Sequence, residues 1–306
     1  MNPSDDMDTD EYPDPASQSD GLSYQSDSAA VQVELAARSD QGNVRPNNED
    51  HFLVVHFHRA LDTRLTNLPD GLIPIQAKEV GYGMVVADGM GGAAAGEVAS
   101  REAIRILLNL VLATPDWMMR RGEPELDRMM QRMAERYRIV DAVLRKEAQA
   151  NPKLSGMGTT MTLACSLGAD VILTHVGDSR AYLVRGGQLH LLTHDHTLVQ
   201  ELVDRGVVHP EEAATHLFRH ILTRALGRER EVEAETRRLS LADQDQLLLC
   251  TDGLTDMVDP RTIGTILRSS ASANDACQSL MNLALENGGK DNVTVVLARY
   301  RFTTGS

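Results

Sequence analysis

The sequence predicts an α+β fold on three observations. Short strand-like runs follow one another with only turns between them, helical periodicities are grouped between such runs, and Gly186-Gly187 marks a tight hairpin. A parallel sheet would instead need a crossover of a dozen or more residues, usually a helix, between neighbouring strands. Strands are expected at 31–37, 50–56, 82–87, 159–166, 171–175, 181–184, 189–192, 232–239, 245–250 and 293–301, each rich in Val, Leu, Thr or aromatic residues. One helix face is marked by Ile104, Leu107, Leu108 and Val111, and a second by Leu126, Met130, Met133, Tyr137, Val140 and Leu144. A last helix over 274–286 buries Ala276, Leu280 and Leu283 and ends at Gly288, a natural cap. Met118, Met119, Met129, Met130 and Met133 read as core filler, and Trp117 as the anchor of the loop between the first two helices.

Residues 1–28 are rich in Asp, Ser and Pro, contain no Lys or Arg and show no apolar period, the pattern of a disordered acidic tail. The folded domain is expected over 29–303. Within it, 196–227 carries two short helical patterns stopped by Gly206 and reads as an insertion beside the site. The insert 59–80 reads as a long hairpin connection.

With 306 residues, 42% of them hydrophobic and 24% charged, the chain can bury a full core. The longest apolar stretch, 104–113, is interrupted by Arg105 and Asn109 and is far too short to span a bilayer. No basic segment followed by an apolar one opens the chain, so a cytoplasmic location is expected. A formal net charge of −14 argues against nucleic-acid and membrane partners, which bind through dense positive charge. Cys165, Cys250 and Cys277 are far apart within apolar runs and read as reduced core thiols.

The chemistry lies in clusters that each carry an aspartate: Arg45-Pro46-Asn47-Asn48-Glu49-Asp50, Asp88-Gly89-Met90-Gly91-Gly92, Gly177-Asp178-Ser179-Arg180, Thr251-Asp252-Gly253 and Gly289-Lys290-Asp291-Asn292. Asp88 and Asp252 follow apolar runs, and the glycine after each leaves the main-chain carbonyl open to a cation. Oxygen donors without nearby cysteine or histidine select Mg²⁺ or Mn²⁺. Arg45 carries a guanidinium able to grip two phosphate oxygens. Any one Asp-Gly is an ordinary turn signal; only the set is informative.

Taken in order, Arg-x-x-Asn-Glu-Asp, Asp-Gly-Met-Gly-Gly, Gly-Thr-Thr at 158–160, Gly-Asp-Ser-Arg-Ala-Tyr, Thr-Asp-Gly-Leu-Thr-Asp and Lys-Asp-Asn-Val-Thr resemble the metal-dependent serine/threonine protein phosphatases of type 2C, the PPM family. The short Asp-Gly-Met-Gly-Gly form and Asp195-His196-Thr197-Leu198-Val199 are similar to its bacterial branch. The resemblance implies a four-layer αββα sandwich with two antiparallel sheets, two core Mg²⁺ or Mn²⁺ ions and possible room for a third. It implies that Asp88 bridges the core ions, that the Gly89 carbonyl supports one and that Asp252 and Asp291 hold the other. Asp50 or its neighbour Glu49 would complete the pair, with Asp50 preferred, and Asp178 would hold the third ion. Arg45 would bind the substrate phosphate, a water or hydroxide bridging the ions would attack phosphorus, and 196–227 would be the flap. The implied partners are phosphorylated proteins made by a serine/threonine kinase, and the implied state is a monomer. Many eukaryotic members have a histidine where this chain has Met90, and a thioether cannot donate a proton. His194, His196 and His220 are candidate replacements. Arg180 reads equally as a local ion pair or a site residue, and Lys290 as a solvated turn residue. Two alternatives stay open, a phosphatase of small phosphate esters and a silent phosphoprotein-binding module.

Overall fold

Leu247, Leu248 and Leu249 are consecutive, all fully buried, and serve two different layers. Leu247 and Leu249 join Met84, Val86, Ala164 and Leu173 in a central core, whereas Leu248 joins Ile263, Leu267, Ala276 and Leu280 on the opposite face. Side chains alternate across a strand, so a strand buried on both faces must lie between two apolar layers. That places this strand inside a sandwich with helices beyond it.

The computed structural model describes residues 31–302 apart from 70, 74, 92–94, 114–122 and 229–230. The expected acidic tail, Trp117, Met118, Met119 and Gly92 therefore lie outside the described residues. The strands are β1 (Val31–Asp40), β2 (Asp50–Asp62), β3 (Gln76–Met90), β4 (Gly158–Thr159), β5 (Met161–Leu167), β6 (Asp170–Val176), β7 (Arg180–Arg185), β8 (Gln188–Leu191), β9 (Glu235–Ser240), β10 (Gln246–Cys250) and β11 (Val293–Phe302). The helices are α1 (Ala95–Ala113), α2 (Glu123–Ala150), α3 (Leu198–Asp204), α4 (Pro210–Ala213), α5 (Asp252–Thr255), α6 (Pro260–Ser269) and α7 (Ala273–Glu286).

One antiparallel sheet has the order β1-β11-β10-β7-β8 and the other β2-β3-β5-β6-β9, with β4 paired to the end of β3. Their inner faces share the central core. Helices α1 and α2 cover the second sheet through Ala99, Leu107, Met133 and Tyr137 packed on Val85, Ala87 and Leu163. Tyr137 is fully buried and its hydroxyl donates to the Thr174 carbonyl at 3.1 Å, so α2 is tied to the sheet by a polar contact as well as by packing. Helices α6 and α7 cover the first sheet. The expected four-layer αββα sandwich is thus the observed architecture.

Several details differ from the sequence expectation. The strand at 159–166 breaks at Thr160, which leaves the ladder to hold another segment. The strand expected from 232 begins at Glu235. Pairing of β2 with β3 continues to Asp62 opposite Gln76, so both ends of the insert 59–80 are ladder and the loop shrinks to 63–75. Helix α6 is an addition to the expected set. Pro260 and Gly264 interrupt its pattern, yet Pro suits the first turn and the Asp259 carboxylate caps it, accepting from Arg261 N and Thr262 N at 3.0 and 3.1 Å. The Gly186-Gly187 hairpin joins β7 to β8 as expected. Of the three free thiols, Cys250 and Cys277 are buried and Cys165 is half-buried. Among the described residues no helix is long and apolar enough to cross a membrane.

Candidate metal centre

Asp50 and Asp88 lie directly opposite each other where β2 begins and β3 is about to end. Asp88 is still within β3 rather than at its exit, and its backbone is clamped from the neighbouring segment. Asp88 N donates to Thr160 Oγ1 at 3.0 Å, and Thr160 N and Thr159 Oγ1 donate to the Asp88 carbonyl at 2.9 and 2.8 Å. The break at Thr160 makes this possible, and its hydroxyl also bonds Ser179 Oγ at 2.7 Å. On the other side Gly89 N donates to the Glu49 carbonyl at 3.2 Å. A Cβ on Gly89 would collide with the carbonyl of Gly96, so the first turn of α1 rests on this glycine.

The other sheet brings Thr251, Asp252, Asp291 and Asn292 to the same end. Thr251 Oγ1 donates to Asp50 Oδ2 at 2.8 Å and accepts from Thr294 N at 3.0 Å, linking the two sheets through one hydroxyl. Asp252 opens α5. A Cβ on Gly253 would collide with the Asn292 carbonyl. Asn292 straps down the loop 41–49, donating to the carbonyls of Gln41 and Asn47 and accepting from Glu49 N at 2.8 Å. Asp291 lies two residues before β11, and its Oδ1 accepts from Asn292 N at 2.8 Å. Asp291 Oδ2 accepts from Arg45 Nη2 at 2.5 Å.

These carboxyls disfavour one another's charge. Burial first, and then the charges of Asp252 and Asp291, push Asp50 up to about 7 against the lowering effect of hydrogen bonds from Thr294 and Thr251. Burial and then Asp50, Asp252, Asp178 and Asp291 hold Asp88 well above the usual carboxylate range. Burial and then Asp291 and Asp256 push Asp252 up to about 6, opposed by a side-chain hydrogen bond with Asp88. Burial and then Asp252 and Asp195 raise Asp178, which is 9% exposed. Asp50 Oδ1 and Asp252 Oδ1 are buried without a hydrogen-bond partner. Orphaned buried carboxylate oxygens are costly unless a cation completes them, and an all-oxygen donor set suits Mg²⁺ or Mn²⁺. The residues present therefore fit a hard divalent cation.

Asp50, Asp88, Gly89, Asp252 and Asp291 are brought together, with Arg45 at the exposed side and Asp178 close enough to act electrostatically on Asp88. The histidine candidates separate. His196 is buried at the base of 196–227, where Nδ1 accepts from Gly177 N at 3.0 Å and the ring stacks on His175 at 4.9 Å. Burial holds His196 down to about 3, so it is neutral. His194 faces Asp204 at 2.8 Å. His220 alone of the three reaches the site, its Nε2 3.4 Å from Asp256 and its Nδ1 3.8 Å from Asp252. Asp256 was not expected to take part. Its signal was the spacing of four from Asp252, one helical turn. Arg180 resolves as a structural pair, donating through Nε and Nη2 to Asp195 at 3.0 and 2.5 Å. Met90 is half-buried at the end of β3.

Comparison with known proteins matches this geometry. A profile of the protein phosphatase 2C family matches residues 72–291. The serine/threonine protein phosphatase PstP of Mycobacterium tuberculosis is 39% identical over 266 residues, which is 87% of this chain and 45% of the relative, so the chain spans about half the length of that protein. The serine/threonine phosphatase stp of Listeria monocytogenes is 34% identical over 266 residues, covering 87% of this chain and 95% of the relative. The catalytic domain of PstP, solved in complex with two manganese ions, superposes with a TM-score of 0.69 at 35% identity over 89% of this chain and 99% of that one. The chain belongs to the protein phosphatase 2C family.

Proposed function

We propose that the protein hydrolyses phosphoserine and phosphothreonine in other proteins, with Asp50, Asp88, the Gly89 carbonyl, Asp252 and Asp291 holding two Mg²⁺ or Mn²⁺ ions and Asp178 holding a third. Glu49, next to Asp50, is the alternative donor through water. The observation that carries this reading is the meeting of carboxyls from both sheets, with one orphaned oxygen each on Asp50 and Asp252. When bound, a pair of divalent ions cancels carboxylate repulsion, lowers the pKa of a shared water and stabilises the oxygens of an in-line phosphoryl displacement.

The chain's own residues supply the rest. Arg45 is exposed, and with Asp291 engaging Nη2 its remaining N–H groups can hold a phosphate at the mouth of the site. Thr160 and Thr251 fix Asp88 and Asp50 so that little reorganisation is needed during reaction. Met90 has no proton to give, and His220, braced by Asp256, is the imidazole nearest the site for protonating a leaving oxygen. Segment 196–227 acts as the flap over this mouth within a domain spanning 29–303, preceded by the acidic segment 1–28.

Relatives named as serine/threonine phosphatases support phosphoprotein substrates, made in turn by a serine/threonine kinase. The charge of −14 supports a monomer without nucleic-acid or membrane partners, and a cytoplasmic location is part of the same proposal. The test is hydrolysis of a phosphothreonine peptide beside a small aryl phosphate and a phosphoinositide. The peptide should be the preferred substrate, and chelation should abolish turnover. Turnover that survives chelation, or preference for the small esters, contradicts the reading.

A further inference from the structure

An open groove of about 640 Å³ lies at the end of the first sheet away from the metal centre. Asp291 and Asn292 come just before Val293, the first residue of β11, whereas Phe302, its last, lines the groove. The length of that strand puts the two places roughly 30 Å apart. Arg299 and Arg301 of β11 and Arg268 of α6 line the groove beside the carboxylate of Asp243.

The three arginines keep their charge. Arg299, half-buried, donates through Nε to Gln246 Oε1 and through Nη2 to the carbonyls of Leu267 and Ser270, each at 3.1 Å. Exposed Arg268 donates to the Gly187 carbonyl at 3.1 Å and to Thr265 Oγ1 at 3.2 Å. Neutral oxygens orient a guanidinium without cancelling its unit charge. Arg301 is exposed and, among the described residues, has no hydrogen-bond or ion-pair partner. Asp243 accepts from Phe302 N at 2.9 Å, and Glu34, opposite Arg299 on β1, accepts from Ala273 N at 2.8 Å. Like charges gathered in one groove attract an anionic partner.

The chain itself carries such a partner. Residues 1–28 hold eight Asp or Glu, six of them between Asp5 and Asp14, and no Lys or Arg. The same segment leads into the rim of the groove, since Val31 pairs with Phe302 and Gln32 lines the groove. Asp14 stands 17 residues before Val31, a separation that can span up to roughly 55 Å. Reach alone would also admit the metal centre, but the carboxylates there repel an acidic segment.

We propose that residues 1–28 dock in this groove, with the carboxylates of the stretch Asp5 to Asp14 on Arg268, Arg299 and Arg301, and that they leave the metal centre uncovered. The proposal uses no part of the phosphatase reading.

Carbodiimide coupling of the full chain carrying Arg301→Lys tests it, because the reagent joins a carboxylate to an amine only where the two are in contact. The chain's own Lys78, Lys146, Lys153 and Lys290 are internal references, and Lys290 stands next to Asp291 at the metal centre. With and without Mn²⁺, cross-links from 1–28 mapped by mass spectrometry should favour the introduced amine over each native lysine by at least about fivefold. Raising salt from about 0.05 M to about 1 M should lower that yield severalfold, because exposed pairs are screened. Arg268→Gln on the same background should lower it by about twofold or more. Thermal melts show whether Arg268→Gln folds, and the salt series carries the test if it does not. Links spread evenly over all five side-chain amines, links chiefly to Lys290, or a yield indifferent to both salt and Arg268→Gln overturn the proposal. So do links found only in covalent dimers, which would assign the groove to a neighbouring copy of the chain.

Discussion

Asp88-Gly89 and Asp252-Gly253 are the same dipeptide after the same kind of apolar run, and the fold builds them differently. Asp88 remains inside a strand, with its backbone clamped by Thr159 and Thr160 on one side while Gly89 bonds Glu49 on the other. Asp252 opens a one-turn helix and has His220 of the segment 196–227 beside its carboxylate. The glycines do one job at both corners, since each lacks a Cβ where a carbonyl from another segment closes in, from Gly96 or from Asn292. The difference implies that Asp88 is positioned by the sheet, whereas Asp252 is positioned where the sheet meets the segment 196–227.

The two corners should be equal in chemistry and unequal in what disturbs them. Asp88→Asn and Asp252→Asn should each lower kcat by about 10³-fold or more, because several kcal/mol of charge stabilisation is removed at either corner. A loss below about tenfold at one of them would break the equivalence. Gly253→Ala is sharper, because helix propensity favours Ala by about 1 kcal/mol whereas overpacking costs about 1–3 kcal/mol, occasionally more. A rigid backbone carbonyl is the obstacle, so the melting temperature should fall, as it should for Gly89→Ala; an unchanged Tm refutes the close approach.

The pH dependence follows from the raised carboxyls. Asp50 at about 7 and Asp252 at about 6 lie above the unfolded value of about 3.9, so the folded chain keeps protons that the unfolded chain has released. Their contribution to stability is complete below about pH 4 and is lost as pH rises through 6 to 7. Saturating Mn²⁺ relieves that loss, so its increment in Tm should be larger at about pH 7.5 than at about pH 5.5. Using the increment cancels the opposite trend from His175 and His196, whose buried rings are held down to about 4 and 3. Equal increments at the two pH values contradict the assignment. The smallest effect is expected for Arg45→Ala, a rise in KM of about tenfold with kcat less affected. A fall in kcat at unchanged KM would instead place Arg45 in transition-state stabilisation.

Both Asp-Gly corners were legible in the sequence because an apolar run, a carboxylate and a glycine are local signals. The α+β class was legible from the grouping of elements, whereas the four layers came through resemblance. Strand order depends on pairings such as Val31 with Phe302, which no local periodicity contains. The contacts of the threonines were not legible for another reason. Thr160 read as a strand residue and Thr251 as the lead-in to Asp252-Gly253, and only tertiary contact turns their hydroxyls toward Asp88 and Asp50. The same holds for Arg45, whose partner Asp291 lies 246 residues away, and for His220, which meets Asp252 and Asp256 only once 196–227 has folded back.

Electron paramagnetic resonance of bound Mn²⁺ tests most directly whether the two sheets jointly hold the ions. The wild type should give a spin-coupled pair of ions, and Asp88→Asn should abolish the coupling. Unaltered coupling and affinity in Asp88→Asn, or in Asp252→Asn, would contradict the shared site.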